Sequence, residues 1–399
     1  MRSRPLAALA VPCLLAPACF WERLPSASTP PSCTEVFTIP AITASGMASQ
    51  FGHYISMNDQ YVAISGFDES QGSASAQIYI FQMSGTNSGL SQPIPSINGR
   101  NGFDIKKDTI TYFPPANNIN LEVKSTQITT SEIVVYGRAP NTNYYTDYGQ
   151  TILSRHGRIF VSNNNNDIVS PPILELRAGR LEGLFGKASF PGSWGRPLLG
   201  SSKWLATGGQ TESLKGDFQV SPLTTANVQN SWKSVSESVQ SKNCTLSVAH
   251  NPDDNDKWLS AQPNAALSGD MLVAQETCNG DTHIVMFALA ESGAQRLESP
   301  VLNTIPDILG ASRLTLARDS EHEGSLTAIG ALYEDSSAGT VWVTRISADA
   351  PGLATPTPLR SSKGAPSSNY GGGLAVSGSL VAVGDPTPTG GSVHIFRCQ

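Results

Sequence analysis

The densest group of metal-ligating side chains in the sequence is the acidic segment NPDDNDKW, residues 251–258. Calcium in proteins takes about six to eight oxygen ligands from carboxylates, amides and carbonyls, so this composition suits calcium. Asp254 and Asp256 alternate as calcium ligands do, but the glycine and the downstream acidic ligand of a calcium loop are missing. We interpret the segment as a solvated turn. Asp254 and Asp256 stay as weak metal candidates, and no other cofactor is expected.

Signatures of catalysis are absent from the sequence. The six histidines are scattered, and none belongs to an HExxH motif. The sequence has neither a GxSxG nucleophile motif nor a phosphate-binding Walker loop. We therefore predict no catalytic residues. Paired carboxylates of a polysaccharide hydrolase or lyase cannot be recognised when they lie on separate elements, so that alternative stays open.

The N-terminus has the features of an export signal. Arg2 and Arg4 precede an apolar stretch from Leu6 to Ala18 that is too short to span a bilayer. It ends in a small-x-small cleavage pattern, and the next residue is Cys19. The segment resembles a bacterial lipoprotein signal, which predicts lipidation of Cys19; ordinary secretion after the same cut is the alternative. We assign residues 1–18 to the signal, 19–32 to a tether and 33–399 to one domain.

Composition and charge narrow the class of partner. The chain of 399 residues has 39% hydrophobic and 15% charged residues, with 36 glycines and 27 prolines, which is typical of a turn-rich β protein. The net charge is −6, and no basic stripe of the kind that binds nucleic acid is present. We expect a protein or glycan partner, no nucleic acid, and a membrane association only through a lipid on Cys19.

The cysteines indicate disulfides. Beyond the signal and Cys19, the chain has Cys33, Cys244, Cys278 and Cys398, which allow three pairings. None has the CxxC spacing of a metal site, and an exported chain enters an oxidising compartment.

A repeat of roughly 50 residues runs along the chain. Each copy has alternating apolar strands around a short turn, followed by a third strand, which is the pattern of an antiparallel sheet. The clearest copies are FGHYISMNDQYVAISGF (51–67) and YGGGLAVSGSLVAVGDP (370–386). The seven copies are marked by Gly52, Gly102, Gly149, Gly195, Asn264, Gly310 and Gly371.

The first and last copies resemble the FG-GAP repeats of integrin α-chain-like β-propellers. Phe51-Gly52 and Tyr370-Gly371 take the FG place, and Val383 to Pro386 takes the place of the GAP segment. The resemblance implies an all-β fold, a seven-bladed β-propeller of four-stranded antiparallel blades. An unrelated pair of β-sandwiches is the alternative.

The same resemblance predicts how the ring closes. The last copy stops after its third strand, so the segment Thr34 to Ile42 would supply the fourth strand. That pairing favours a Cys33–Cys398 disulfide and leaves Cys244 to pair with Cys278. For function, we expect an exported cell-surface or secreted module that binds a protein or glycan without catalysis. The alternatives are an extracellular polysaccharide enzyme and a structural envelope protein.

Overall fold

The computed structural model describes the chain from residue 29 onward in separate segments. These are residues 29–41, 51–68, 75–83, 97–98, 103–106, 109–112, 122–127, 133–138, 148–155, 158–163, 173–177, 180–183, 194–210, 216–223, 232–235, 244–247, 264–297, 305, 308, 311, 313–320, 326–332, 338–346, 355–362, 366–367, 369–387 and 390–399. Their regular structure is almost entirely β-strand. Within them, no helix is long and apolar enough to cross a membrane.

After an N-terminal strand, β1 (Cys33–Pro40), four sheets are built from successive strands. Sheet 1 comprises β2 (Ile55–Met57), β3 (Tyr61–Asp68), β4 (Ser75–Gln82) and β5 (Ile97–Asn98). Sheet 2 comprises β6 (Phe103–Lys106), β7 (Thr109–Tyr112), β8 (Glu122–Gln127) and β9 (Ile133–Arg138). Sheet 3 comprises β10 (Tyr148–Arg155), β11 (Arg158–Asn163), β12 (Ile173–Arg177) and β13 (Arg180–Gly183). Sheet 4 comprises β14 (Trp194–Gly200), β15 (Trp204–Gln210), β16 (Gly216–Pro222) and β17 (Lys233–Ser234).

Three further sheets complete the described fold. Sheet 5 comprises β18 (Cys244–Leu246), β19 (Ala265–Ser268), β20 (Met271–Cys278), β21 (Asp281–Ala290) and β22 (Gly293–Leu297). Sheet 6 comprises β23 (Arg313–Arg318), β24 (Leu326–Leu332), β25 (Thr340–Arg345) and β26 (Thr357–Leu359). Sheet 7 comprises β27 (Leu374–Ser377), β28 (Leu380–Thr387), β29 (Gly390–Cys398) and, beside β29, strand β1.

Neighbouring strands in every sheet pair antiparallel, mostly in sequence order. Tight turns make this possible: Asn279 and Gly280 both have positive φ, at 53° and 95°, which is the backbone of a two-residue hairpin turn. The apolar segment EIVVYGR contains β9, which is the fourth strand of sheet 2; the third strand, next to β7, is β8. The sequence EVKSTQ of β8 does not indicate a strand, because this segment is polar and lacks apolar alternation.

Strand β1 pairs antiparallel with β29, so the two ends of the described chain share one sheet. Cys33 lies opposite Cys398, and a bulge between Glu35 and Phe37 shifts the register by one residue. The strand occupies the edge that the sequence assigned to residues 34–42, with bounds at Cys33 and Pro40.

The hydrophobic core lies between sheets rather than inside one layer. Separate clusters of buried side chains fill the junctions between sheets 1 and 2, 4 and 5, 5 and 6, 6 and 7, and 7 and 1. Aromatic side chains take part in these clusters, with Phe81 of β4, Phe287 of β21 and Phe396 of β29 all buried. Seven strands, one from each sheet, contact one another in the order β2, β6, β10, β14, β19, β23 and β27, and β27 in turn contacts β2. We call these the first strands of their sheets; in sheet 5 this is β19, which pairs with one end of β20 while β18 pairs with the other.

The aromatic-glycine pairs of the repeats are packing devices at these junctions. Phe51 is fully buried, and Gly52 has a φ of 94°, which favours glycine. A Cβ atom on Gly384 of sheet 7 would lie 1.9 Å from the carbonyl oxygen of Gly52. Gly330 of sheet 6 approaches Gly371 in the same way. The recurring glycines therefore allow two backbones to touch.

Candidate functional site

The first strands of the sheets surround a central cavity of about 140 Å³. The lining comes from six of them, β2, β6, β14, β19, β23 and β27, and from the residues that follow their C-terminal ends. Much of the wall is apolar, from residues such as Ile55, Leu267 and Leu316. A concave site with apolar walls and a few polar groups is the usual form of a ligand site.

The most distinctive polar group of the wall is the guanidinium of Arg318, at the end of β23. Its side chain is buried, and it donates hydrogen bonds to the carbonyl oxygens of Ile346 at 3.0 Å and Met271 at 3.4 Å. Burial lowers the pKa of Arg318 to about 10, which still leaves it protonated at neutral pH. The arginine therefore places a fixed positive charge beside the cavity and ties sheets 5 and 6 together.

Two carboxylates line the same cavity. Asp319 follows Arg318 and accepts a hydrogen bond from the Gly378 amide at 2.6 Å, which links sheet 6 to sheet 7. Asp104 of β6 accepts a weak hydrogen bond from Ser56 of β2 at 3.4 Å. These bonds join adjacent sheets, so part of the polar lining also holds the wall together.

The turns after the first strands form what we call the inner-turn face. We define it by residues 58–60, 201–203, 269–270, 319–320 and 378–379. Asn58 and Ser201 each accept backbone hydrogen bonds from the residues two and three positions later, which fixes these turns. Several side chains of the face are exposed, among them Asp59, Gln60, Lys203 and Ser379. The face is polar, with both signs of charge.

Trp204, which follows the turn 201–203, joins sheet 4 to Asp270 in the turn of sheet 5. The indole Nε1 donates to Asp270 Oδ1 at 2.7 Å, and Lys203 Nζ donates to Asp270 Oδ2 at 2.9 Å. These bonds, from Lys203 first and then Trp204, outweigh the effect of burial and lower the pKa of Asp270. The side chain of Trp204 is buried, so its role is this contact between sheets rather than stacking on a ligand.

The four cysteines form two disulfides, Cys33–Cys398 and Cys244–Cys278. In each pair the two residues lie directly opposite one another on adjacent antiparallel strands. This is the pairing that the sequence favoured. Glu276 lies beside the second disulfide, and its carboxylate is held by Arg296 through two hydrogen bonds of 2.7 Å.

Four aspartates of the described residues lie on four different sheets. Asp104 lines the cavity and Asp270 lies on the inner-turn face. Asp217 is buried in β16 and bonds Ser234 Oγ at 2.6 Å, while Asp385 in β28 accepts from the Ser367 amide at 3.1 Å. Each of the four has its own local hydrogen-bond partners.

Three of the predicted site residues cannot be placed. Cys19, Asp254 and Asp256 lie outside the described residues. Conversely, sequence reasoning missed Arg318 and Asp319, which look like ordinary strand-end residues in RLTLARDS. A charged pair at the end of an apolar first strand was the available signal.

Comparison with known proteins gives structural but no sequence matches. No family model matches the chain, and no curated protein matches it. A structure from an analysis of two prolyl endopeptidases aligns with a TM-score of 0.50 at 11% identity, covering 85% of this chain and 45% of that one. A puromycin-hydrolysing peptidase from Mycobacterium tuberculosis also aligns at 0.50, with 9% identity, covering 88% and 53%.

A third match is the β-propeller domain of the Trilobed protease from Pyrococcus furiosus, with a TM-score of 0.47 and 8% identity, covering 82% of this chain and 84% of that domain. The chain spans about half the length, or less, of the peptidases it matches. At these identities the likeness shows the fold alone. The antiparallel sheets, the cores between them and the two alignments at a TM-score of 0.50 together define the protein as a β-propeller.

Proposed function

We propose that the protein is a non-catalytic binding module, an exported β-propeller of seven blades that holds a partner protein or a glycan. Seven described sheets support the blade count, and the contact of β27 with β2 supports a closed ring. In this proposal β1 closes the ring as the outer strand of the last blade. The matching packing of Gly52 and Gly371 supports repeats of the FG-GAP type.

We also propose export, with residues 1–18 as the signal, 19–32 as the tether and 33–399 as the domain. Two disulfides fit an oxidising compartment, where such bonds persist. Cys19 is then the first residue of the exported chain, lipidated or free. Mass spectrometry of the N-terminus of the exported protein decides between a lipoprotein and a secreted chain.

The observation that carries the binding role is the cavity under the inner-turn face. A rigid wall presents short polar side chains, such as Asn58, Ser320 and Ser377, beside the charged Arg318 and Asp319. Polar groups fixed on rigid elements can hydrogen-bond a sugar or a peptide with little loss of side-chain entropy. The cavity carboxylates Asp104 and Asp319 each accept a hydrogen bond from a neighbouring sheet, which favours a binding role over the polysaccharide-enzyme alternative.

The test is binding of the purified exported protein to a glycan panel and to an envelope extract. We compare the parent with a Gln60→Trp/Ser379→Trp variant, which adds bulk at two exposed positions of the inner-turn face. Asp281→Trp is the matched control, because Asp281 is exposed at the opposite end of sheet 5. We expect a saturable ligand whose affinity falls at least about tenfold in the first variant and stays unchanged in the control.

Equal affinity in all three proteins would contradict binding at this face. Turnover of a polysaccharide in the same panel would instead favour the enzyme. No ligand and no turnover would favour a structural envelope protein.

A further inference from the structure

A second cluster of polar side chains lies away from the cavity, where β1 meets β29. Ser392 Oγ lies 2.9 Å from His394 Nε2, and His394 Nδ1 lies 2.8 Å from Glu35 Oε1. Ser392 and His394 are two positions apart on β29, so both side chains are on one face of the sheet. Glu35 comes from the neighbouring strand β1. The three groups stand in the order of a nucleophile, a base and a residue that orients the base.

The carboxylate of Glu35 is held firmly in this arrangement. It accepts hydrogen bonds from Thr38 Oγ1 at 2.6 Å and from the Ser362 amide at 2.7 Å, besides its contact with His394. Burial alone would raise the pKa of Glu35, but the hydrogen bonds from Ser362, Thr38 and His394 outweigh it and lower the pKa to about 2. Glu35 is therefore an anion at neutral pH and accepts the Nδ1 proton of His394.

This orientation leaves Nε2 as the acceptor for the hydroxyl proton of Ser392. The His394 side chain is 4% exposed and that of Glu35 9%. Tyr370 packs edge-on against the imidazole, with ring centroids 5.9 Å apart. Ser392 itself is partly exposed. The side chains that would activate the hydroxyl are thus shielded from water, and the residue that carries the hydroxyl is itself only partly buried.

We propose that Ser392 is a covalently reactive nucleophile, activated by His394 and Glu35, that accepts acyl or phosphonyl groups from small activated electrophiles. With a fluorophosphonate, Ser392 Oγ attacks phosphorus, the P–F bond breaks and fluoride leaves. The proton of the hydroxyl passes to His394 Nε2, and the imidazolium that forms is stabilised by the Glu35 carboxylate. The product is a phosphonyl ester on Ser392. The site is separate from the cavity, so it adds an activity to the proposed binding role and does not depend on it.

The test is labelling of the folded full chain with a fluorophosphonate probe, with the adduct located by peptide mass spectrometry. We expect one phosphonyl group per chain, on Ser392. Ser392→Ala should abolish that adduct, and His394→Gln should slow labelling at least about 100-fold, since general-base assistance contributes about 10²–10⁴. Ser292→Ala, which removes an exposed serine in a distant turn, is the control and should label like the parent.

Folding of each variant is checked by circular dichroism and by retention of the Cys33–Cys398 disulfide. If His394→Gln fails to fold, Glu35→Gln provides the same test, because it keeps the size of the side chain and removes the negative charge; a drop of at least about tenfold is expected. The absence of an adduct on Ser392 in the folded parent would overturn the proposal. Equal labelling rates in the parent and in a folded His394→Gln or Glu35→Gln variant would also overturn it.

Discussion

Neighbouring sheets meet differently at two junctions: through their backbones between sheets 7 and 1, and through a side chain between sheets 5 and 6. The fifth residue of the second strand faces the next sheet in both places: Gly384 in β28 and Gln275 in β20. Gly384 allows the backbone of Gly52 to approach closely: a Cβ on residue 384 would lie 1.9 Å from the carbonyl oxygen of Gly52. Gln275 instead reaches across with its side chain, and its Oε1 accepts the Leu314 amide proton at 3.1 Å.

This difference explains why some repeats are easy to read and others are not. Contact between two backbones requires glycine at both positions, so it leaves a fixed motif in the sequence. A side-chain hydrogen bond needs only a group of suitable length, so a junction of the second kind leaves no fixed motif in the sequence.

The two disulfides differ in the length of chain that they enclose. Cys33–Cys398 joins residues 365 positions apart, and Cys244–Cys278 joins residues 34 apart. Loop-closure entropy gives about 6 kcal/mol for the long loop and about 4 kcal/mol for the short one. We expect Cys33→Ser/Cys398→Ser to lower the free energy of unfolding by about 2 kcal/mol more than Cys244→Ser/Cys278→Ser does.

Urea unfolding of the two double variants and the parent, under non-reducing conditions, measures this difference. Peptide mapping before unfolding confirms that the remaining disulfide is intact in each variant. Equal losses, or a larger loss for the short loop, would show that closing the chain ends is not what the first disulfide contributes.

The extent of what the sequence revealed follows from the same physics. The strand period, the aromatic-glycine pairs and the free edge of the last copy were visible because they depend on local spacing, and they gave the β fold and the place of β1. The cluster at Ser392 was invisible, because Glu35 and His394 are 359 positions apart and meet only when β1 docks. Arg318 was missed because its burial depends on hydrogen bonds to the carbonyl oxygens of Met271 and Ile346, which come together only when the sheets pack.

The contrast between backbone contact and side-chain contact predicts that the same substitution lowers stability by different amounts at the two junctions. Gly384→Ala and Gln275→Ala place the same residue at equivalent positions of the two junctions. Alanine at 384 would collide with the Gly52 backbone, which cannot move without separating the sheets, so we expect a loss of about 3 kcal/mol or more. Alanine at 275 leaves the Leu314 amide without its acceptor and should cost about 1–2 kcal/mol.

Chemical denaturation of both variants gives the two values directly. A loss at Gly384 no larger than that at Gln275 would mean that the close approach of the two backbones is unimportant.

A further prediction concerns the attachment of β1 and depends on pH. Glu35 fixes β1 to β29, and its pKa falls from an ordinary 4.5 to about 2 in the folded protein. A carboxylate with a lowered folded-state pKa stabilises the protein above its unfolded pKa, and this stabilisation is lost as the pH falls from about 4.5 toward 2. We expect the free energy of unfolding of the parent to exceed that of Glu35→Gln by about 2–3 kcal/mol between pH 5 and 7, with this difference closing below pH 4.5.

Urea unfolding at a series of pH values measures the difference, with Glu291→Gln, at an exposed position, as control. A gap that persists unchanged to pH 2 would show that Glu35 acts through packing rather than through its charge, and β1 would then be held mainly by its strand pairing and the disulfide.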